Sequence, residues 1–205
     1  MIEIKNVSKS FNKRKVIDKF NLKIADGDFI CITGESGKGK TTLLNIIGLL
    51  EQPDEGDIII NDIKNPNKKQ ILLMQRNSFG YLFQNYALIE NETVEKNLAI
   101  SLEYQKNLDK PKEINKALQS VNLEGYNKKR IFELSGGEQQ RVALARIILK
   151  KCQFIFADEP TGNLDKKNRD IVFDILKKLN EQGKTIIFVT HDQELAKQSN
   201  TLINI

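Results

Sequence analysis

Leu134-Ser135-Gly136-Gly137-Glu138 follows, in one chain, the stretch Gly34-Glu35-Ser36-Gly37-Lys38-Gly39-Lys40-Thr41. The upstream stretch fits the pattern G-x-x-x-x-G-K-[ST], a loop that cradles phosphates. Many unrelated nucleotide-binding proteins carry that loop. Two further signals lie beyond it: an apolar run ending in Asp158-Glu159, and the single histidine, His191, after another apolar run. All four occur in order within one domain length, and this combination decides the reading.

A phosphate chain carries several negative charges, so its site needs many N–H donors with no side chain in the way. Gly34, Gly37 and Gly39 let the backbone curl round it, and a helix beginning near Lys40 points its positive end inward. Glu35, Ser36, Lys38 and Thr42 complete the loop. Lys40 is placed to reach the β- and γ-phosphates, and Thr41 to put its hydroxyl on Mg²⁺. Lys38 is expected to face solvent; the alternative is a second cation near the phosphates. Phe154-Ile155-Phe156-Ala157-Asp158 reads as a buried strand that delivers Asp158 near the metal through water. Glu159 is then the candidate general base for an attacking water. Alone, two acids after four apolar residues are also an ordinary strand end; beside the loop they read as chemistry.

The 205 residues, 40% apolar and 29% charged, suit one globular domain, 1–205. No apolar run approaches the roughly 18 residues that span a bilayer. The start, Met1-Ile2-Glu3-Ile4, lacks a secretion-signal layout. The expectation is a soluble cytoplasmic protein, in which any membrane work would have to pass through another polypeptide. Its net charge of +5 comes from scattered, short basic runs such as Lys13-Arg14-Lys15, a solvated face rather than a nucleic-acid track. Cys31 and Cys152 have no metal-ligand spacing and read as buried free thiols.

Period-two alternation marks strands at Ile2 to Val7 and, in part, Val16 to Ile24. A buried strand at Phe29 to Thr33 feeds the loop. A helix over Thr41 to Leu50, a strand over Asp57 to Asn61 and a strand over Phe79 to Phe83 follow. Residues 85–133 carry helical-period apolar positions (Val94, Leu98, Leu102, Ile114, Leu118, Val121) and read as a helical insert. Then come a helix from Gly136 to Lys150, a strand Phe154 to Ala157, a helix near Lys167 to Gln182 and a strand Thr185 to Thr190. Strands alternating with helices predict an α/β fold with a parallel sheet covered on both faces.

These motifs together resemble the nucleotide-binding subunit of ABC transporters, from about Ile2 to nearly the last residue. The resemblance implies a P-loop NTPase (RecA-like) core with an antiparallel β subdomain and a helical insert, using ATP and Mg²⁺. It implies that His191 is the switch histidine on the γ-phosphate and that Gln84 senses γ-phosphate and Mg²⁺. It implies that Phe11 stacks on adenine, beside Val16; a core Phe is the alternative. Ser135, Gly136 and Gly137 would close on the nucleotide of a second copy in an ATP-dependent, head-to-tail homodimer, with Asp165 crossing the seam. A transmembrane permease is the implied partner, holding the chain at the inner face of the membrane.

Glu159-Pro160-Thr161-Gly162-Asn163-Leu164-Asp165 is more particular. It resembles the branch serving lipoprotein release, macrolide efflux, bacteriocin export and cell-division permeases. Gly80 to Leu88 looks most like the bacteriocin-export (lactococcin-type) group. The competing class, a non-transport ABC ATPase acting on DNA or ribosomes, usually adds a coiled coil, zinc-binding cysteines or a second ATPase domain, and none is visible. The chain stops at Thr201-Leu202-Ile203-Asn204-Ile205, so no C-terminal regulatory domain is expected. An apolar junction at Tyr86, Leu88 and Ile89 is expected to receive a helix of the permease.

Overall fold

The N-terminal alternation becomes a hairpin in the computed structural model, which describes residues 1–205. Strands β1 (Ile2–Phe11) and β2 (Arg14–Ile24) turn at Asn12 and Lys13, both left-handed with φ of 48° and 66°. A two-residue hairpin turn of type I′ requires that conformation at both positions. Next come β3 (Phe29–Thr33), α1 (Lys40–Ile47), β4 (Glu55–Ile60) and β5 (Ile63–Lys64). The chain continues through α2 (Lys68–Asn77), β6 (Phe79–Leu82), α3 (Val94–Ala99) and α4 (Lys110–Ser120). It ends with α5 (Gly136–Lys150), β7 (Phe154–Asp158), α6 (Lys166–Glu181), β8 (Thr185–Val189), α7 (Gln193–Ala196) and β9 (Thr201–Asn204).

Two sheets result. One is antiparallel, in the order β2-β1-β4-β5; the other has five parallel strands in the order β6-β7-β8-β3-β9. The central parallel strands lack polar alternation because both faces are covered. Ile30, Ile32, Phe154, Phe156, Ile187 and Val189 face α1 and the apolar side of the antiparallel sheet. Their neighbours Phe29, Cys31, Ile155, Ala157, Ile186 and Phe188 face a second cluster with α5 and α6. Each fully buried Ile, Val or Phe among them contributes roughly 1.5–3 kcal/mol. Parallel alignment brings the carboxyl ends of β3, β7 and β8 to one edge, so Gly34, Asp158 and Thr190 emerge together. Open α/β sheets bind ligands at that edge.

Residues 85–133 contain α3, α4 and two short 3₁₀ turns, and a bridge between Thr93 and Arg130 closes them off. Leu98, Leu102, Ile114 and Leu118 join the same cluster as the sheet face, so the insert is bonded to the core by packing. Several elements differ from the sequence reading, which includes neither β5 nor α7. Helix α1 ends at Ile47, not Leu50. Helix α2 was not expected, because none of its residues is fully buried. Strand β9 pairs with β3 at the sheet's rim, with most of its residues exposed. Cys31 and Cys152 are buried and unpaired, and burial pushes their thiols up to about 12 and about 11.

Candidate active site

Six of the seven helices begin with a side chain that accepts hydrogen from the first turn: Asn67, Thr93, Asp109, Ser135, Asp165 and Asp192. Helix α1 does not. Its N-cap is Gly39, no side chain bonds to its end, and its first turn holds no acid. Its first N–H groups and the positive end of its dipole are therefore left for an anion. Gly39 takes φ 98°, and a Cβ there would meet Val16 Cγ1 at 2.5 Å, so only glycine lets β2 pack against the loop. Lys40 Nζ donates to the carbonyl oxygens of Gly34 and Glu35, each at 2.9 Å. Its ammonium thus lies folded into the loop. Lys38 is exposed and lies 3.6 Å from the Glu35 carboxylate. Phe11 is 44% exposed with Lys9 Nζ 5.4 Å from its ring, so it is not a core residue.

The expected metal donors come together. Thr41 Oγ1 donates to Asp158 Oδ1 at 3.1 Å. Gln84, just past β6, lines with Asp158, Gln139 and Asn163 a cleft of about 580 Å³. A hydroxyl, an amide and one carboxylate are hard oxygen donors, but too few to hold a cation alone. Such a set suits Mg²⁺ that arrives with substrate phosphates. Burial raises the Asp158 carboxyl above its ordinary value; the Thr41 hydrogen bond opposes this and the neighbouring Glu159 charge adds to it. A divalent cation would offset that burial.

The raised value has a consequence for the nucleotide-free protein. The folded chain holds the Asp158 proton more tightly than the unfolded chain does. The ionised carboxylate therefore costs stability at neutral pH, and the cost disappears as pH falls into the ordinary carboxylate range. Asp158→Asn keeps an oxygen for Thr41 and removes the charge. Without nucleotide, the variant should melt a few degrees above the parent near pH 7, with the gap closing toward about pH 4. A variant that melts lower at neutral pH would show that the carboxylate is stabilising.

Glu159 is a non-glycine residue at φ 46°, a conformation that costs roughly 1–2 kcal/mol. Its N–H donates to Val189 O at 3.1 Å, which pins the turn to the end of β8. Its Oε2 lies 2.9 Å from His191 Nδ1, with Glu159 only 17% exposed and His191 72%. An ionised carboxylate only accepts, so Nδ1–H is the donor and Nε2 remains free. The two residues are thereby oriented as one unit.

Ser135 caps α5 in a reciprocal box with Glu138. The Ser135 N–H and hydroxyl each donate to Glu138 Oε2 at 2.8 Å, and Tyr126 OH donates to Oε1 at 2.7 Å. Burial pushes the Glu138 carboxyl up, but these hydrogen bonds win and hold it below its ordinary value. The Glu138 carboxylate thus engages the Ser135 N–H and hydroxyl, while the N–H groups of Gly136 and Gly137 make no hydrogen bond within the chain. Gly136 and Gly137 leave no side-chain bulk, and a Cβ on Gly137 would collide with Asn168. Asp165 caps α6, accepting from Asn168 N at 2.9 Å and Asn168 Nδ2 at 2.7 Å, which holds its carboxyl low. No hydrogen bond joins Ser135, Gly136 or Gly137 to the loop 34–42. Sequence reading missed Arg146, which donates to Tyr86 O and Ala87 O and clasps two consecutive left-handed residues beyond Gln84. Nothing local in the sequence signals that contact.

A family model described as ABC transporter matches residues 17–162. The macrolide export ATP-binding/permease protein MacB of Bdellovibrio bacteriovorus is 38% identical over 211 residues, which is 100% of this chain and 32% of that protein. The chain thus spans only a third of the macrolide-export relatives it matches; that of Campylobacter jejuni, 38% identical, is covered to 33%. An uncharacterized ABC transporter ATP-binding protein of Methanocaldococcus jannaschii is 40% identical over 213 residues, 100% of this chain and 95% of its own. Among solved structures, a dimeric ATP-binding cassette in a post-hydrolysis state bound to ADP and Pi superposes with a TM-score of 0.90 at 35% identity. That match covers 100% of this chain and 94% of the other. With the phosphate loop, the acid pair and the Ser135 helix end in one fold, the chain belongs to the ABC transporter family.

Proposed function

We propose that the chain hydrolyses ATP as a head-to-tail pair of copies and thereby drives a membrane permease of the exporter type. The carrying observation is the uncapped end of α1 beside the Thr41–Asp158 and Glu159–His191 pairs. Lys40 and the loop amides hold the phosphates, and Phe11 with Val16 lies against the base. Thr41, Gln84 and Asp158 would hold Mg²⁺, which would supply charge neutralisation to the phosphates. Glu159 orients a water and accepts its proton, and His191 keeps that carboxylate aimed. Ser135, Gly136 and Gly137 meet the nucleotide of the second copy, with Asp165 at the seam. The dimeric solved cassette supports this pairing.

The macrolide-export relatives support an exporter, and the cassette-length archaeal relative supports a permease on a second polypeptide. Within that branch we favour peptide or lipoprotein cargo of the bacteriocin-export kind. No helix is long and apolar enough to cross a membrane. The chain would accordingly sit on the inner face of the membrane through its permease.

The permease surface we favour lies beside the junction at Tyr86, Leu88 and Ile89. Tyr86 and Leu88 pack against the core, because α5 and the insert close over them. A groove of about 440 Å³ lies beside them, lined by Leu72, Tyr81, Phe83, Ala87, Ile100 and Tyr104 among others. Arg146 and Lys150 also line it; burial lowers both, and neither pairs with a carboxylate. That chemistry fits a short permease helix with an apolar face and an acidic residue. Ile100 is 54% exposed on the groove. In proteoliposomes with the permease that co-purifies with the chain, Ile100→Glu should lose permease-stimulated ATP hydrolysis and keep the basal rate. Full stimulation in the variant would place the partner elsewhere, and absence of any co-purifying membrane protein would overturn the exporter reading.

A further inference from the structure

Two consecutive residues of α5, Gln140 and Arg141, hold the two ends of the loop between β7 and α6. Gln140 is 1% exposed, and its Nε2 donates to the carbonyl oxygen of Pro160 at 2.5 Å. Pro160 follows Glu159 directly, so this bond grips the backbone one residue from the strained φ of the candidate base. Arg141 Nη1 donates to Asn168 Oδ1 at 2.6 Å, and Asn168 in turn bonds Asp165. The helix that begins at Ser135 is therefore tied to Glu159 through Gln140 and to Asp165 through Arg141.

Both ties leave a buried polar atom without a partner: Gln140 Oε1 and Arg141 Nε. A buried, unsatisfied acceptor costs stability. An apolar side chain of similar size would avoid the Oε1 cost, so packing alone does not call for glutamine at 140. What glutamine adds is the donor to Pro160.

We propose that Gln140 is a positioning residue for ATP hydrolysis: it sets the carboxylate of Glu159 according to the seating of the helix that starts at Ser135. It touches neither phosphate nor water and acts only through the Pro160 carbonyl. The inference deepens the reading of Glu159 as the base; in the head-to-tail pair, nucleotide seated at one copy's Ser135 end would align that same copy's Glu159. Each active site would then fire only when its neighbour is filled.

The test uses Gln140→Leu and Gln140→Glu, which remove the donor with little change of volume. Each should lower kcat by about ten-fold or more with little change in KM for ATP, because a displaced catalytic group costs rate rather than binding. Adding Gln140→Leu to Glu159→Gln should lower the residual rate no further, since both act on the same carboxylate. Wild-type turnover in the same assay guards the ATPase reading: a wild-type protein without activity fails that reading and not this one. Wild-type kcat in both variants overturns the proposal. So does a further fall in the double variant, a parallel loss of ATP affinity and melting temperature, or failure of both variants to fold, each of which would make Gln140 a residue of the fold alone.

Discussion

Glu159→Gln should reduce steady-state phosphate release by about 10²-fold or more and leave ATP affinity at the parent value. The amide has the shape of the carboxylate and retains an oxygen facing His191 Nδ1, now 2.9 Å away. No hydrogen bond links Glu159 to the loop 34–42, whose contacts run through Lys40 and Thr41. Binding and turnover should therefore separate. Only the capacity to take a proton from water is lost, and that capacity acts in the transition state rather than in the bound ground state. Phosphate release and equilibrium nucleotide binding, measured on one preparation, check both halves. A variant that hydrolyses ATP at the parent rate would remove Glu159 from the chemistry and leave His191 without a purpose at that position.

Ser135→Arg should abolish ATP-driven pairing outright. In the Glu159→Gln background, ATP should convert the chain to a dimer on sizing, and adding Ser135→Arg should return it to the monomer. The substitution acts in two ways. It removes an N-cap, at a cost of about 1 kcal/mol to α5. It also places a long cation where a small hydroxyl must meet phosphate beside Gly136 and Gly137. The first effect lowers the melting temperature by a few degrees and spares the pairing of a well-packed helix; the second removes pairing at once. Ser135→Ala separates them, since it loses the cap without the bulk. If Ser135→Arg still dimerises with ATP, the seam does not run through this helix end.

Much of this was legible before any coordinates. The strand at Phe29 to Thr33 and the helix from Gly136 to Lys150 have the bounds that their residues announce. One is apolar on both faces; the other starts at a capping serine and ends at Lys151 in the left-handed conformation. The loop, the acid pair and His191 were readable because phosphate and metal chemistry restrict residue type and spacing within a few positions. Helix α2 was missed because its core-facing side is only partly covered, although Asn67 and Gln70 form a capping box that is visible in the sequence. Strand β9 was missed because an edge strand with an exposed face shows little apolar alternation. The bonds of Gln140, Arg141 and Arg146 were out of reach for another reason. They join residues that only folding brings together, and their partners are mostly backbone carbonyls, which carry no residue identity.

The Ser135–Glu138 box gives closure of the pair an unusual energetic character. In the resting chain the serine hydroxyl is already satisfied, so meeting a phosphate is an exchange of one acceptor for another. The count at the hydroxyl stays the same, whereas the N–H groups of Gly136 and Gly137, unbonded within the chain, are open to an added acceptor. What would favour assembly is those two free N–H groups together with the larger negative charge of a triphosphate at the helix end. A ligand that has lost its terminal phosphate brings less charge to the exchange and loses most readily to Glu138. In the proposed pair Glu138 would compete with an incoming nucleotide for the Ser135 hydroxyl, and loss of the terminal phosphate would shift that contest toward the carboxylate.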